Sequence, residues 1–146
     1  KVALRHILAV QEARAGFEEL CRRSLCEESL AFVLAVASYR QGRVLGFEGD
    51  DYGAFIHLTN TYVRDDAPLE VNIAGRDKAA VLSLCNGREA FDRLSQERRH
   101  GVFDAACKEV GQLLSDNLLG KFRASQEFDS VEPLLRAEVK AEATAA

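Results

Sequence analysis

A chain of 146 residues bounds the protein to one domain, and an apolar fraction of 47% is enough to build a core. A net charge of -4, with both signs mixed along the chain, excludes nucleic acid as the main partner, because phosphate binding needs a basic face. No apolar run approaches the roughly 20 residues that span a bilayer. The chain starts at Lys1 without Met and reads as a piece of a longer protein, with room for targeting signals outside it.

A first helix is predicted from about Val2 to Arg14, where Leu4, Ile7, Leu8 and Gln11 follow a three-four spacing, with Gly16 as its stop. A short second helix places Phe17, Leu20 and Cys21 on one face. A third opens at Cys26-Glu27-Glu28-Ser29, where the two acids suit the positive end of the helix dipole. Leu30, Phe32, Val33, Leu34, Val36 and Tyr39 cover most of its circumference, as expected for a helix at the centre of a bundle. Gly42 is its stop.

Residues 42–53 read as a connection. Their glycine spacing matches neither nucleotide-binding pattern, and no Gly-Lys-Ser/Thr follows. Asp50 or Asp51 caps a fourth helix carrying Tyr52, Phe55, Ile56, Thr59, Tyr62 and Val63 at helical period. Asp65-Asp66-Ala67-Pro68 ends it, since Pro68 drives Ala67 out of the helical region. The extended stretch Glu70-Val71-Asn72-Ile73 then forms a non-helical loop between helices. It reads either as a plain connection or as a loop presenting a functional side chain, with Asn72 the residue able both to donate and to accept.

A fifth helix is expected over about 75–85, stopped by Asn86-Gly87. Residues 88–101 are polar and predict a short, partly exposed helix, within which Arg98-Arg99-His100 beside Glu97 reads as a solvated turn. A helix from Val102 to about Ser115 buries Phe103, Ala106, Cys107, Val110, Leu113 and Leu114. Asp116-Asn117 reads as a break and a new cap, followed by a short helix with Leu118, Leu119 and Phe122. Residues 1–128 form the expected domain. Residues 129–146 form a tail that is partly helical or disordered, with disorder expected at its end.

The cysteines Cys21, Cys26, Cys85 and Cys107 lack C-x-x-C spacing and lie in or beside apolar stripes, so they read as buried free thiols of a reducing compartment. With the scattered histidines His6, His57 and His100 they offer no metal-ligand spacing. No nucleophile, base or phosphate loop emerges, so no cofactor and no catalytic centre of its own is expected.

Three groups of motifs, in order, resemble the RGS domain, the regulator of G-protein signalling family. Phe17-Glu-Glu-Leu20, Cys26-Glu-Glu-Ser-Leu-Ala-Phe32 and Tyr39 form the first. Tyr62-Val63, Ala67-Pro68 and Glu70-Val71-Asn72-Ile73 form the second. Phe103-Asp104-Ala105-Ala106, Leu113-Leu114, Phe122 and Ser125 form the third. The likeness runs from about Val2 to Phe128. It implies an all-α domain of about eight to nine helices in two lobes, one an antiparallel four-helix bundle and the other gathering both chain ends.

The resemblance also implies a function. Such domains bind the α subunit of heterotrimeric G proteins and speed GTP hydrolysis by gripping its switch segments in the transition-state geometry. They supply no active site of their own. Carried over residue by residue, Glu28 takes the acidic position of the first contact segment, Asn72 the loop asparagine, and Leu113 an apolar contact. Three positions depart. Ser29 replaces an asparagine, Asn117 an aspartate that accepts from the first switch segment, and Lys121 an arginine that holds this aspartate. The first of these changes trades one polar side chain for another. The second turns a charge-assisted hydrogen bond into a neutral one, and the third loses the bidentate fork. Val33 for tryptophan and Cys107 for glutamine are packing differences. The expected location is cytoplasmic, with recruitment to the inner face of the plasma membrane. Three readings stay open: a divergent GTPase-activating domain with reduced or retuned activity, a scaffold of the same fold without that activity, and a helical bundle with no signalling role.

Overall fold

The computed structural model describes residues 1–145. Among them every regular element is helical. Twelve helical segments run along the chain, and three junctions between them are uninterrupted, which leaves nine helices. They are α1 (Leu4–Ala9), α2 (Gln11–Arg23), α3 (Glu27–Arg40), α4 (Asp51–Leu58 and a π turn, Thr59–Val63) and α5 (Gly75–Leu82). Two short helices follow, α6 (Arg88–Asp92) and α7 (Gln96–His100). Helix α8 is Asp104–Leu114, a π turn Ser115–Leu119, and Gly120–Arg123, and α9 is Gln126–Ala145. This is the predicted fold class. The chain divides into two compact units, one of residues 1–30 with 111–146 and one of residues 31–110.

The unit that holds both chain ends is built from α1, α2, the C-terminal part of α8, and α9. Ile7, Phe17, Cys21, Leu118, Phe122 and Leu135 are among its buried residues. Phe122 is its hub, edge-on to Phe17 at 5.5 Å and to Phe128 at 5.9 Å between ring centroids. Gly16 does not stop a helix, as the sequence suggested. It lies inside α2, where an added Cβ would come within 3.3 Å of the Glu127 Cβ and 3.4 Å of the Phe122 ring. The break falls earlier instead, at Val10, whose extended backbone separates α1 from α2.

The first and last helices are tied by Glu142. Its carboxylate accepts two hydrogen bonds from the Arg5 guanidinium, both 2.9 Å, and one from His6 Nε2 at 3.1 Å. The ring orientation of buried His6 is set from its other side, where Nδ1 accepts from the Ala3 amide at 2.8 Å. Of the two states expected for residues 129–146, the helical one holds through Ala145. Residues 126–145 form one helix, about 30 Å long at 1.5 Å per residue, with Phe128, Val131 and Leu135 buried. Residue 146, the last of the expected disordered end, lies outside the described residues.

The second unit packs around an aromatic cluster. Phe55 stacks on Phe91 at 5.0 Å and lies 5.5 Å from Phe103, which meets Tyr39 edge-on at 5.1 Å. Phe91 is fully buried, although its segment reads as polar and partly exposed. That segment is two helices rather than one. The basic run 98–100 is helical, and the Arg99 carbonyl accepts the buried Tyr39 hydroxyl at 2.6 Å. Asp50 caps α4 by accepting from the Gly53 amide at 2.9 Å.

All four cysteines are free; Cys21 is buried and the other three are half-buried. Burial pushes their thiols up, that of Cys21 to about 12, so Cys21 stays a protonated packing group at neutral pH. No described helix is long and apolar enough to cross a membrane.

Two outcomes are expected. Phe91→Ala should cost roughly 3–5 kcal/mol in urea unfolding, as a fully buried aromatic does, and not the few tenths of an exposed surface residue. The Glu142 carboxyl is held down to about 2, chiefly by the Arg5 hydrogen bonds and then by His6. Its folded value is below the unfolded ~4.3, so its stabilisation is complete above that value and disappears as pH falls toward 2. Glu142→Gln should therefore lower the melting temperature at neutral pH and flatten its decline through that acid window.

Candidate functional site

Each of the two π turns carries or supports one of the candidate segments. In α4 the Arg64 amide reaches back to the Thr59 carbonyl at 3.0 Å, five residues away, which widens the last turn. The carbonyls of Thr61 and Tyr62 accept from the Leu69 amide at 3.0 Å and the Val71 amide at 2.9 Å. These bonds lash the 65–73 loop to the end of α4 by its backbone. The buried Val71 side chain pins it from the inside.

Lys78 on α5 adds charge, with Nζ donating to Asp65 and, at 3.3 Å, to Glu70. The Asp65 carboxylate raises the Lys78 ammonium above its ordinary value, with Glu70 assisting. Glu109 accepts from the Ala74 amide at 2.8 Å and fixes the far end. Asn72 is left exposed on this tethered loop, where with Glu70, Val71, Ile73 and Lys78 it lines a shallow concavity of about 240 Å³.

In the other unit, α8 passes Leu114, enters the π turn Ser115–Leu119 and continues to Arg123. The expected break and new cap at 116–117 is absent. Leu114, Leu118 and Phe122 are all buried, at a four-residue spacing that drifts in a regular α-helix by ~80° over eight residues. The single extra residue of a π turn removes ~100° and brings the three back onto one face. Asn117, in the middle of that turn, is exposed.

Four of the six candidate residues converge here. Ser29, Leu113, Asn117 and Lys121 line one concavity of about 260 Å³, completed by Ser24, Cys26, Leu114 and Leu118. Lys121 is its one charged residue. Leu113 is 41% exposed, which corrects its expected burial on this helix and sets it apart from its buried neighbour Leu114. Glu28 does not line the concavity; it is half-buried in the first turn of α3, beside Ser29. Asp116 does not line it either, and its carboxylate accepts from Gln112 Nε2 at 2.8 Å. Asn72 belongs to the other unit.

Sequence reasoning missed Leu25. It occupies the left-handed position after α2, with φ 58°, in a Schellman turn. The Cys26 amide donates to the Cys21 carbonyl at 3.0 Å and the Leu25 amide to the Arg22 carbonyl at 3.3 Å. Glycine ordinarily fills that position, as Gly42 does after α3 with φ 68°. Leu25 is also 85% exposed, between two residues that line the concavity. A strained backbone holding an apolar side chain in water suits a contact residue. No periodicity marks it, because the signal is a missing glycine.

Leu25→Gly should therefore raise stability by about 1 kcal/mol, from relief of left-handed strain. Thermal or urea unfolding checks it. A loss of stability would mean that the leucine side chain packs in solution.

Comparison with curated proteins gives no match. The family model described as the Regulator of G protein signaling domain matches residues 3–131, nearly the whole chain. That match joins the all-helical fold and the motifs around Phe32, Asn72 and Phe103, and the chain belongs to the RGS domain family, whose members regulate G-protein signalling.

Proposed function

We propose that this domain binds the α subunit of a heterotrimeric G protein in its transition-state form and accelerates GTP hydrolysis, with a polar grip weaker than the family's usual one. The observation that carries the reading is the convergence of Ser29, Leu113, Asn117 and Lys121 on one concavity, next to the exposed Leu25. The tethered loop that exposes Asn72 supports it from the second unit.

The mechanism asks little chemistry of this chain. The α subunit already carries an arginine in cis and a glutamine that orients the attacking water. Its rate depends on how well those groups are placed. A partner that binds the arranged switch segments more tightly than the ground state lowers the barrier by the difference. A hundredfold acceleration needs only about 2.7 kcal/mol of differential binding. In this reading Asn72 offers its amide beside the water-orienting glutamine, and Leu25 and Leu113 exclude water at the contact. Asn117 supplies a neutral hydrogen bond to the first switch segment.

The test is single-turnover GTP hydrolysis by a panel of Gα subunits, with and without the domain. Asn72→Ala should remove most of the acceleration, about tenfold or more. Asn117→Asp combined with Lys121→Arg should increase it severalfold by restoring a charge-assisted pair. Leu25→Gly should lower it while the fold becomes more stable. A fully active Asn72→Ala variant sinks the assignment of the loop.

A second reading draws on Lys121, which no carboxylate in the concavity offsets. In it the domain is a scaffold for another protein and does not stimulate GTPase activity. Absence of binding to both the aluminium-fluoride and the GDP forms of every Gα tested would transfer the proposal to that reading.

A further inference from the structure

A groove of about 500 Å³ runs along α9 in the unit that holds both chain ends, apart from every residue assigned above. Its volume falls within the range of small-molecule sites. The α9 residues that line it, from Phe128 to Ala143, recur at three- or four-residue steps and trace one stripe about 22 Å long. Val2, Phe128, Val139 and Ala143 give it an apolar lining. Two lining residues are joined where Arg123 donates from Nη2 to the Val2 carbonyl at 2.6 Å.

The charges around this lining are unbalanced. Arg136 is neutralised by Glu132, which accepts from its Nε at 3.0 Å and its Nη2 at 2.7 Å. Lys1, Arg123 and Lys140 also line the groove, and among the described residues none of the three has an ion-pair partner. A chain of net charge -4 thus gathers three uncompensated cations around one apolar slot. The groove follows one helix for about 22 Å, and its apolar and cationic side chains line the same space.

We propose that this groove binds one molecule of a single-chain lipid with an anionic head group. The acyl chain lies along Val2, Phe128, Val139 and Ala143, and the head group is held by Lys1, Arg123 and Lys140. The occupant is a dispersed lipid molecule, not a bilayer surface, because a groove of about 500 Å³ has the capacity for one small molecule. The inference is independent of the proposed action on Gα.

Isothermal titration of the whole chain with oleoyl lysophosphatidate, below its micelle-forming concentration, tests it. One-to-one binding is expected. Oleoyl lysophosphatidylcholine, whose head carries a compensating cation, should bind about tenfold more weakly, as loss of a net ionic contact implies. Glycerol 3-phosphate, the head without the chain, should not bind measurably. Ala143→Trp fills the slot from an exposed helix position and should abolish binding, while Lys140→Gln should weaken it severalfold, both with unchanged circular dichroism melting. Equal binding of the two lysolipids, or binding unaffected by both variants, overturns the proposal. So does adsorption to phosphatidylserine vesicles without binding of the dispersed lysophosphatidate.

Discussion

Helices of this chain bury residues at a four-residue spacing, and in two of them a widened turn falls within the buried set. Phe55, Thr59 and Val63 are buried on α4, and Leu114, Leu118 and Phe122 on α8. Each set spans eight residues, over which the 3.6-residue repeat drifts by ~80°. The widened turns at Thr59–Val63 and Ser115–Leu119 absorb that drift. The two irregularities thus keep six buried side chains, five of them apolar, on their faces, while α2 buries Ala13, Phe17 and Cys21 at the same spacing without a widened turn. Both irregularities have further uses: one leaves carbonyls to accept the Asn72 loop, and the other carries Asn117.

Much of the fold is legible in the residues. The circumference of α3, its stop at Gly42 and the cap at Asp50 follow from periodicity and from the short polar side chains that compete for helix ends. The misreadings share a physical cause, which is that a residue type with a local habit was recruited by tertiary packing. Gly16 is a close-approach glycine and not a terminator. Ser115, Asp116 and Asn117 are cap formers, but the buried Leu114, Leu118 and Phe122 carry the helix straight through them. The segment around Phe91 is exposed, as its polar residues suggest. It is the reading of one helix that fails, since the stacked Phe91 ring is buried and the segment forms two short helices. Helix α9 is sparse in apolar residues, and a stripe of three suffices because each meets a ready core.

The candidate site was legible by another route. No periodicity brings Ser29 near Asn117 and Lys121; the likeness to the family placed them, and a shared concavity is consistent with that placement. Leu25 was invisible to both approaches, since its significance lies in a backbone angle. The polar departures at Asn117 and Lys121 share the concavity with the apolar Leu113, Leu114 and Leu118.

The tether of the Asn72 loop has a consequence for how such a domain can change over time. Its two central hydrogen bonds join backbone groups only, from the amides of residues 69 and 71 to the carbonyls of residues 61 and 62. Leu69 and Asn72 contribute no side-chain atom to those two bonds. Drift at these two positions can therefore rewrite the chemistry offered to a partner while the platform that offers it stays in place. Under the proposed function, recognition and architecture are then separable within one stretch of five residues, and a change of partner there need not pass through an unstable intermediate.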